Sequence, residues 1–389
     1  MSTVMDIHQV GASSNRDGRG RFVYSQTPFL VYWELTRACD LACRHCRAEA
    51  MAQRNPAELT LSEAKAVLEK IRKFGGRSPH LVLTGGDPLK RPDFFEILEH
   101  GAGLGLHMSV APSATKTLTR EILHRFKTTG VESISLSLDG STAERHDGFR
   151  GVPGCFDWTL QAARSALSEG LGLQVNTLVT ADTEADLPEI YQSITAFEIM
   201  RWSLFFLIQV GRGQTLRAMS PERCEGLHHW LYGLSKQSPF AVATTEAPHY
   251  RRVALTRMRE EGIALAKILQ TPVGRGFGIR DGNGIMFISH TGDVYPSGFL
   301  PLVAGNVRTK DIIEIYRESE IFRKIRQTSS FQGRCGRCEF REICGGSRAR
   351  AFATYGDCQA EDPACSYEPG QFGDRVISQS ERAISDSES

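Results

Sequence analysis

The chain has 389 residues, 41% of them hydrophobic, and 46 Lys and Arg against 45 Asp and Glu give a net charge of +1. That is enough apolar material for a sizeable core, with room for several domains or one large α/β barrel. The interspersed charge excludes a nucleic-acid-binding stripe, and no apolar run reaches the roughly 18–20 residues of a membrane helix.

Residues 1–28 are polar, lack a basic-then-apolar leader, and are expected to be a flexible N-terminus of a cytoplasmic protein. From 29 to 235 short β-rich runs at 29–35, 80–83, 107–111, 133–138, 173–180 and 202–209 alternate with helix-period segments. The first helix starts at a cap, Thr60 or Ser62, runs to Arg72 and stops at Phe74-Gly75. The others are expected at 93–102, 119–129, 156–168, 185–196 and 221–234. Six strand–helix units in series imply parallel strands joined by right-handed crossovers. Six is fewer than the eight of a closed barrel, so the expected fold is α/β, a partial (β/α)6 TIM-like barrel open on one side. Residues 236–284 are expected to be a connector that reaches the active site. A β-hairpin pattern with its turn at 290–293 opens a small C-terminal domain over 285–370. Residues 371–389 are rich in Ser, Glu and Asp, and are expected to be a disordered tail.

The most informative feature follows the first strand: Cys39, Cys43 and Cys46, spaced C-x3-C-x2-C. Ten cysteines in a leaderless chain point to metal ligands or free thiols rather than disulfides. Three thiolates on one tight loop suit an iron–sulfur cube, whose fourth iron is then free to hold a cosubstrate. A structural zinc site wants four protein ligands, and no fourth Cys or His follows at matching distance; His45 lies awkwardly between two of the cysteines. This loop resembles the signature of the radical S-adenosylmethionine (radical SAM) superfamily. The resemblance implies a [4Fe–4S] cluster with an open iron that chelates SAM and reductively cleaves it to a 5′-deoxyadenosyl radical.

Further strand ends fit the same resemblance. Thr84-Gly85-Gly86-Asp87-Pro88 follows strand 2; relatives show Gly-Gly-Glu-Pro there, a backbone edge for the SAM amino group, and this chain has the shorter Asp87. Ser113 follows strand 3, where relatives often carry Thr-Asn-Gly. Ser137 and Asp139 match the family's Ser-Leu-Asp-Gly, and Arg150 would pair with the SAM carboxylate through its planar fork. Asn176 on strand 5 resembles a ribose or carboxylate contact, and Gly211-Arg212-Gly213 would present backbone near the adenine.

Near the C-terminus Cys335, Cys338 and Cys344, with Cys365 downstream, supply four thiolates, enough for one further [4Fe–4S] cluster; Cys358 is an alternative fourth ligand, and a zinc ribbon on the same ligands an alternative metal. The pattern is similar to the SPASM extension of radical SAM enzymes. Two cysteines of the full pattern are replaced by Ser297 and Arg348, so one auxiliary cluster is expected rather than two. Cys155 and Cys224 read as buried thiols.

The tail and the opening Trp33-Glu-Leu-Thr-Arg-Ala-Cys39 resemble enzymes of alternative haem and haem d1 biosynthesis, which trim carboxylate side chains of a tetrapyrrole. The resemblance implies hydrogen abstraction from an unactivated C–H, with the auxiliary cluster exchanging an electron and flavodoxin or ferredoxin as donor. A peptide substrate, crosslinked as in related maturases, is the alternative. Arg212, Arg251, Arg252, Arg275, Arg280, Arg348 and Arg350 are candidates to neutralise substrate carboxylates. Glu246, His249 and Tyr250 are the candidate proton or radical relay. A non-catalytic zinc module would leave the Gly-Gly-Asp-Pro and Ser-Leu-Asp-Gly strand ends unexplained.

Overall fold

Val31 and Trp33 are fully buried in β1 (Leu30–Glu34), whereas Leu30 and Tyr32 are half-buried on its other face. A period of two divides a strand in this way. The same alternation marks β2 (His80–Thr84), β4 (Ser133–Ser137) and the first half of β5 (Gly172–Val179). With β3 (Met108–Val110) and β6 (Arg201–Phe206) they form six neighbouring parallel strands. This is a computed structural model that describes residues 23–75 and 78–372. The expectations for residues 1–22 and 373–389 therefore lie outside the described residues.

Helices α1 (Leu61–Arg72), α2 (Phe94–Gly103), α3 (Arg120–Thr128), α4 (Ala143–Arg150), α5 (Cys155–Ser168), α6 (Leu187–Thr195) and α7 (Pro221–Ser235) lie between the strands in sequence. Thr60 caps α1 in a capping box with Glu63. Val67, Leu68 and Ile71 of α1, Phe94, Ile97 and Leu98 of α2, and Leu123 and Phe126 of α3 join Val31, Trp33, Leu81 and Leu83 in one apolar core.

The sheet extends beyond the six strands at both ends. β7 (Ala241–Thr245) pairs in parallel with β6. On the other side β8 (Arg280–Asp281) pairs with β9 (Gly284–Ile288), and β9 pairs in parallel with β1. β10 (Asp293–Tyr295) and β11 (Gly305–Asn306) follow antiparallel. Among the described residues the order is β11-β10-β9-β1-β2-β3-β4-β5-β6-β7, and its two ends do not pair, so the barrel is open. The segment expected to be a connector thus contributes β7, β8, α8 (His249–Glu260), α9 (Leu265–Gln270) and α10 (Pro272–Arg275). The C-terminal region adds α11 (Ile312–Glu318), α12 (Glu320–Arg326), α13 (Gly333–Arg337) and α14 (Arg348–Tyr355). No helix among the described residues is long and apolar enough to cross a membrane.

The face of the sheet opposite the apolar core carries a run of polar side chains across β2–β5. His80 Nε2 lies 2.8 Å from Ser109 Oγ, Ser109 Oγ 2.7 Å from Ser133 Oγ, and Gln174 Nε2 donates to Asn176 Oδ1 at 2.8 Å. A closed barrel fills this space with layers of branched apolar side chains. A polar lining instead suits a hollow that receives polar ligands.

Glu34, fully buried at the end of β1, joins three parts of the chain. Its carboxylate accepts from Arg47 Nη2 at 2.7 Å and from Arg37 Nε at 3.4 Å, and lies 2.8 Å from His290 Nδ1 in the β9–β10 turn. Arg47 also stacks over the Phe287 ring of β9 at 4.5 Å. Burial pushes the Glu34 carboxyl up, but Arg47 and His290 outweigh it and hold it down to about 2. A folded value below the unfolded one stabilises the protein at pH above the ordinary Glu range, and that stability is lost as pH falls toward 2. Glu34→Gln is therefore expected to cost about 3 kcal/mol at neutral pH. The gap should close between about pH 5 and pH 2 in denaturant titrations of metal-free protein. A pH-independent gap would refute the ion-pair account.

Candidate functional site

The loop after β1 carries the three cysteines, and the C-terminus of α4 holds it in place. Ala42 N donates to Arg150 O at 3.1 Å, Arg44 N to Phe149 O at 3.0 Å, and Cys39 N to Met51 O at 2.8 Å. Each thiol has a donor: Leu41 N to Cys39 Sγ at 3.3 Å, Ala50 N to Cys46 Sγ at 3.3 Å, and Arg150 Nη1 to Cys43 Sγ at 3.5 Å. Such donors suit cluster ligands, whose sulfurs are tuned by hydrogen bonds. The three cysteines pack in one small group with Leu41, Cys155 and Trp158. Cys155 belongs to neither cysteine set: burial, reinforced by the Asp147 carboxylate it donates to, pushes its thiol up to about 12. His45 stacks on Phe149 at 5.1 Å, and burial lowers it to about 4.

The segment after β2 presses against this loop. Gly86 N donates to Thr36 O at 2.8 Å and Asp87 N to Ala38 O at 2.7 Å. A Cβ on Gly86 would stand 2.5 Å from Ala38 O and 2.6 Å from Arg37 O, so only glycine permits the approach. These N–H groups are spent on the cysteine loop; an ammonium would need the carbonyls of this edge, of which Gly86 O already accepts from Ser113 Oγ. Ser113 closes the cluster: its Oγ donates to Gly86 O at 2.9 Å and lies 3.3 Å from Cys39 Sγ. Asp87 Oδ1 accepts from Leu89 N and weakly from Ser113 N, while buried Oδ2 has no partner. Burial raises this carboxyl to about 6.

Asp139 and Arg150 form a buried ion pair beside Cys43. Leu178 N donates to Asp139 Oδ1 at 2.7 Å. Asp139 thus orients Arg150, whose buried Nε has no partner. The orphan acceptor on Asp87 and the orphan donor on Arg150 lie beside the cysteine loop and match the ammonium and carboxylate of an amino-acid ligand. Ser137 and Asn176 are register neighbours on β4 and β5, and Asn176 Oδ1 is engaged by Gln174.

The second cysteine set gathers at the C-terminal region. Cys335, Cys338, Cys344 and Cys365 line one cavity. Gly346 N donates to Cys344 Sγ and Asp362 N to Cys335 Sγ, both at 3.4 Å. Cys358 instead packs in an apolar group with Ile208, Leu300, Ile325 and Ala349. Among the described residues no three His, Cys, Asp or Glu side chains gather closely enough for a single ion.

Glu246 and His249 are joined through Ser347, whose N donates to Asp362 Oδ2 at 2.7 Å, and Tyr250 lies against His228, which also packs on His249. Glu246, at the end of β7 with φ 57°, accepts from Ser347 Oγ at 2.5 Å. Burial and the neighbouring Asp281 carboxyl raise it well above the ordinary range. His249 is buried at the auxiliary cavity, its Nε2 3.0 Å from Asp362 Oδ2. Tyr250 is buried in the apolar core. Most of the candidate arginines are also committed: Arg252 to Glu225, Arg350 to Asp362, and Arg251, Arg275, Arg280 and Arg348 to backbone carbonyls. Arg212 differs, with buried Nε and Nη2 lacking partners while its N donates to Cys46 O at 3.1 Å. Sequence reasoning missed Glu34, Arg47, His290 and Asp362. A lone carboxylate in an apolar strand was the available signal for Glu34.

A family model described as the radical SAM superfamily matches residues 33–194, and one described as an iron-sulfur cluster-binding domain matches 280–339. The chain is 37% identical over 347 residues to the AdoMet-dependent heme synthase of Methanosarcina barkeri, covering 89% of this chain and 99% of that protein. It is 39% identical over 352 residues to the AdoMet-dependent heme synthase of Nitratidesulfovibrio vulgaris, covering 89% and 94%. SuiB of Streptococcus suis, solved with S-adenosylmethionine bound, has a TM-score of 0.68 over 88% of this chain and 78% of that one. At 16% identity this is a likeness of fold. The chain belongs to the radical SAM superfamily. It is a radical SAM enzyme that uses a [4Fe–4S] cluster and SAM, with a C-terminal region that binds auxiliary iron–sulfur.

Gly86→Ala is expected to displace the cysteine loop without unfolding the core. Iron content should fall by about four per chain, one cube, with far-ultraviolet circular dichroism unchanged. Full iron content in that variant would show that the close approach does not matter.

Proposed function

We propose that this enzyme abstracts hydrogen from a carboxylate-bearing side chain of a tetrapyrrole in haem-type biosynthesis. The supporting observation is the 37% and 39% identity to AdoMet-dependent heme synthases over nearly their whole lengths. In this reading Cys39, Cys43 and Cys46 hold the first cluster, and Cys335, Cys338, Cys344 and Cys365 the auxiliary one. When bound, the first cluster and SAM supply an electron and a 5′-deoxyadenosyl radical able to take hydrogen from an unactivated C–H. Asp87 Oδ2 accepts the SAM ammonium, and Arg150, steadied by Asp139, donates to its carboxylate. Gly85, Gly86 and Ser113 keep the cysteine loop in place, while Ser137 and Asn176 offer polar contacts along the inner face. We assign the SAM-binding barrel to 29–235, continued by β7 from the 236–284 segment, and auxiliary-cluster binding to 285–370. The enzyme works in the cytoplasm, with reduced flavodoxin or ferredoxin as electron donor.

Arg212 is the arginine the fold leaves for substrate. Its unpartnered Nε and Nη2 beside Cys46 suit a propionate carboxylate, a charge-assisted contact of about 1.5–3 kcal/mol. Arg212→Gln is expected to raise KM for a carboxylate-bearing tetrapyrrole about tenfold or more and to leave SAM cleavage without substrate unchanged. An unaltered KM would remove Arg212 from the substrate site.

The decisive experiment is anaerobic reconstitution with SAM and a reductant, offering tetrapyrroles deuterated on their propionate chains and, separately, deuterated candidate peptides. Deuterium should appear in 5′-deoxyadenosine with the tetrapyrrole; transfer from a peptide alone would replace this reading with peptide maturation. Cys39→Ala should make no 5′-deoxyadenosine, and its iron should drop from about eight to about four per chain. Persistent SAM cleavage in that variant would sink the assignment of the first ligand set.

A further inference from the structure

Arg348 stands where the full SPASM pattern would have a cysteine, and it has no solvent exposure. Its contacts are Nη1 to Cys358 O at 3.0 Å and Ala360 O at 2.7 Å, Nε to Gly346 O at 3.4 Å, and Nη2 to Cys335 Sγ at 3.6 Å. Its guanidinium also stacks over the Phe331 ring at 4.4 Å, and a second buried arginine, Arg280, lies against the same ring at 5.5 Å. Among the described residues no carboxylate pairs with Arg348. The nearby Asp362 is engaged by Arg350 and His249.

A buried cation without a counter-charge is costly, and native structures supply one. The one potential anion that Arg348 touches is the sulfur of Cys335. A cube held by four thiolates carries net negative charge and gains one more unit when reduced. A fixed cation against one of its sulfurs therefore stabilises the reduced form more than the oxidised form. Packing fixes the contact. Gly346, with φ 65°, passes so close that a Cβ there would stand 2.5 Å from Arg348 Nη2 and 3.1 Å from Cys335 Sγ. The arginines that line the cavity are weaker candidates, because Arg252 is bound by Glu225, Arg334 by Glu361 and Arg341 by Glu342.

We propose that Arg348 is the counter-ion of the auxiliary cluster and sets its potential upward. The inference rests on the ligand set Cys335, Cys338, Cys344 and Cys365. Arg348 acts as a positioning and tuning residue, so the test reads a potential and not turnover.

The full-length protein is prepared anaerobically in a Cys39→Ala background, so that only the auxiliary cluster contributes, and is titrated with EPR detection. About four irons per chain are expected in this parent. An iron-free or zinc-loaded parent would overturn the ligand set and the inference with it. Adding Arg348→Gln removes the charge and keeps amide donors for the carbonyls. It is expected to shift the one-electron reduction equilibrium at least tenfold toward the oxidised form, a midpoint about 59 mV more negative. Arg348→Lys retains the charge and should stay within about threefold of the parent, less than half of that shift. A Gln variant with full iron and the parent's midpoint overturns the proposal. If the Gln variant loses its iron, Arg348→Lys decides: retained iron supports the counter-ion, and loss in both shows that Arg348 only clamps carbonyls.

Discussion

The Glu34 carboxylate is the joint on which the two halves of the molecule depend. Glu34 and His290 are 256 residues apart in sequence, yet they share one buried contact at the edge of the cysteine loop. A fully buried carboxylate is tolerated only when cations and donors compensate it. Arg47 and Arg37 come from the loop that carries Cys46 and Cys39, and His290 from the hairpin that opens the C-terminal region. The barrel, the cysteine loop and the C-terminal strands are therefore located by the same charge.

Around that joint the strand ends support one another through backbone contacts. The β2 segment donates two N–H groups to the cysteine loop, α4 offers two carbonyls, and Ser113 bridges Gly86 and Cys39. Little here depends on long flexible side chains, which lowers the conformational entropy lost in holding three thiols together. Among the polar atoms left over are Asp87 Oδ2 and Arg150 Nε. The auxiliary site follows a related plan. Backbone N–H groups aim at Cys344 and Cys335, and buried charges close the rear.

The central strands were legible because the buried faces of β1, β2, β4 and the start of β5 alternate cleanly and helices with clear caps separate them, as at Thr60 and Thr119. β7 was not, because Ala241–Thr245 is short and only partly buried, so no face stands out. α4 carries few apolar residues and is defined by its caps, Thr142 and Gly151. The cysteine triplet could be read from spacing alone. Spacing could not decide between Cys365 and Cys358, because only the fold shows one at the cavity and the other among apolar side chains. Glu246 follows a strand while His249 and Tyr250 open a helix, so only the fold shows that Glu246 and His249 meet through Ser347 and Asp362. The orphan atoms on Asp87, Arg150 and Arg212 exist only as three-dimensional facts.

The pairing of β9 with β1 has a consequence for biosynthesis. β1 lies near the start of the chain, and its neighbour on that flank leaves the ribosome only after the rest of the barrel has been made. Until then β1 exposes an unsatisfied row of amides and carbonyls, the kind of border that recruits foreign strands. Contacts this remote along the polypeptide form slowly. Nascent chains therefore pass through an interval in which the cofactor-binding half is translated but unsealed, and premature termination before residue 284 would leave a sticky, incomplete barrel rather than a smaller working enzyme.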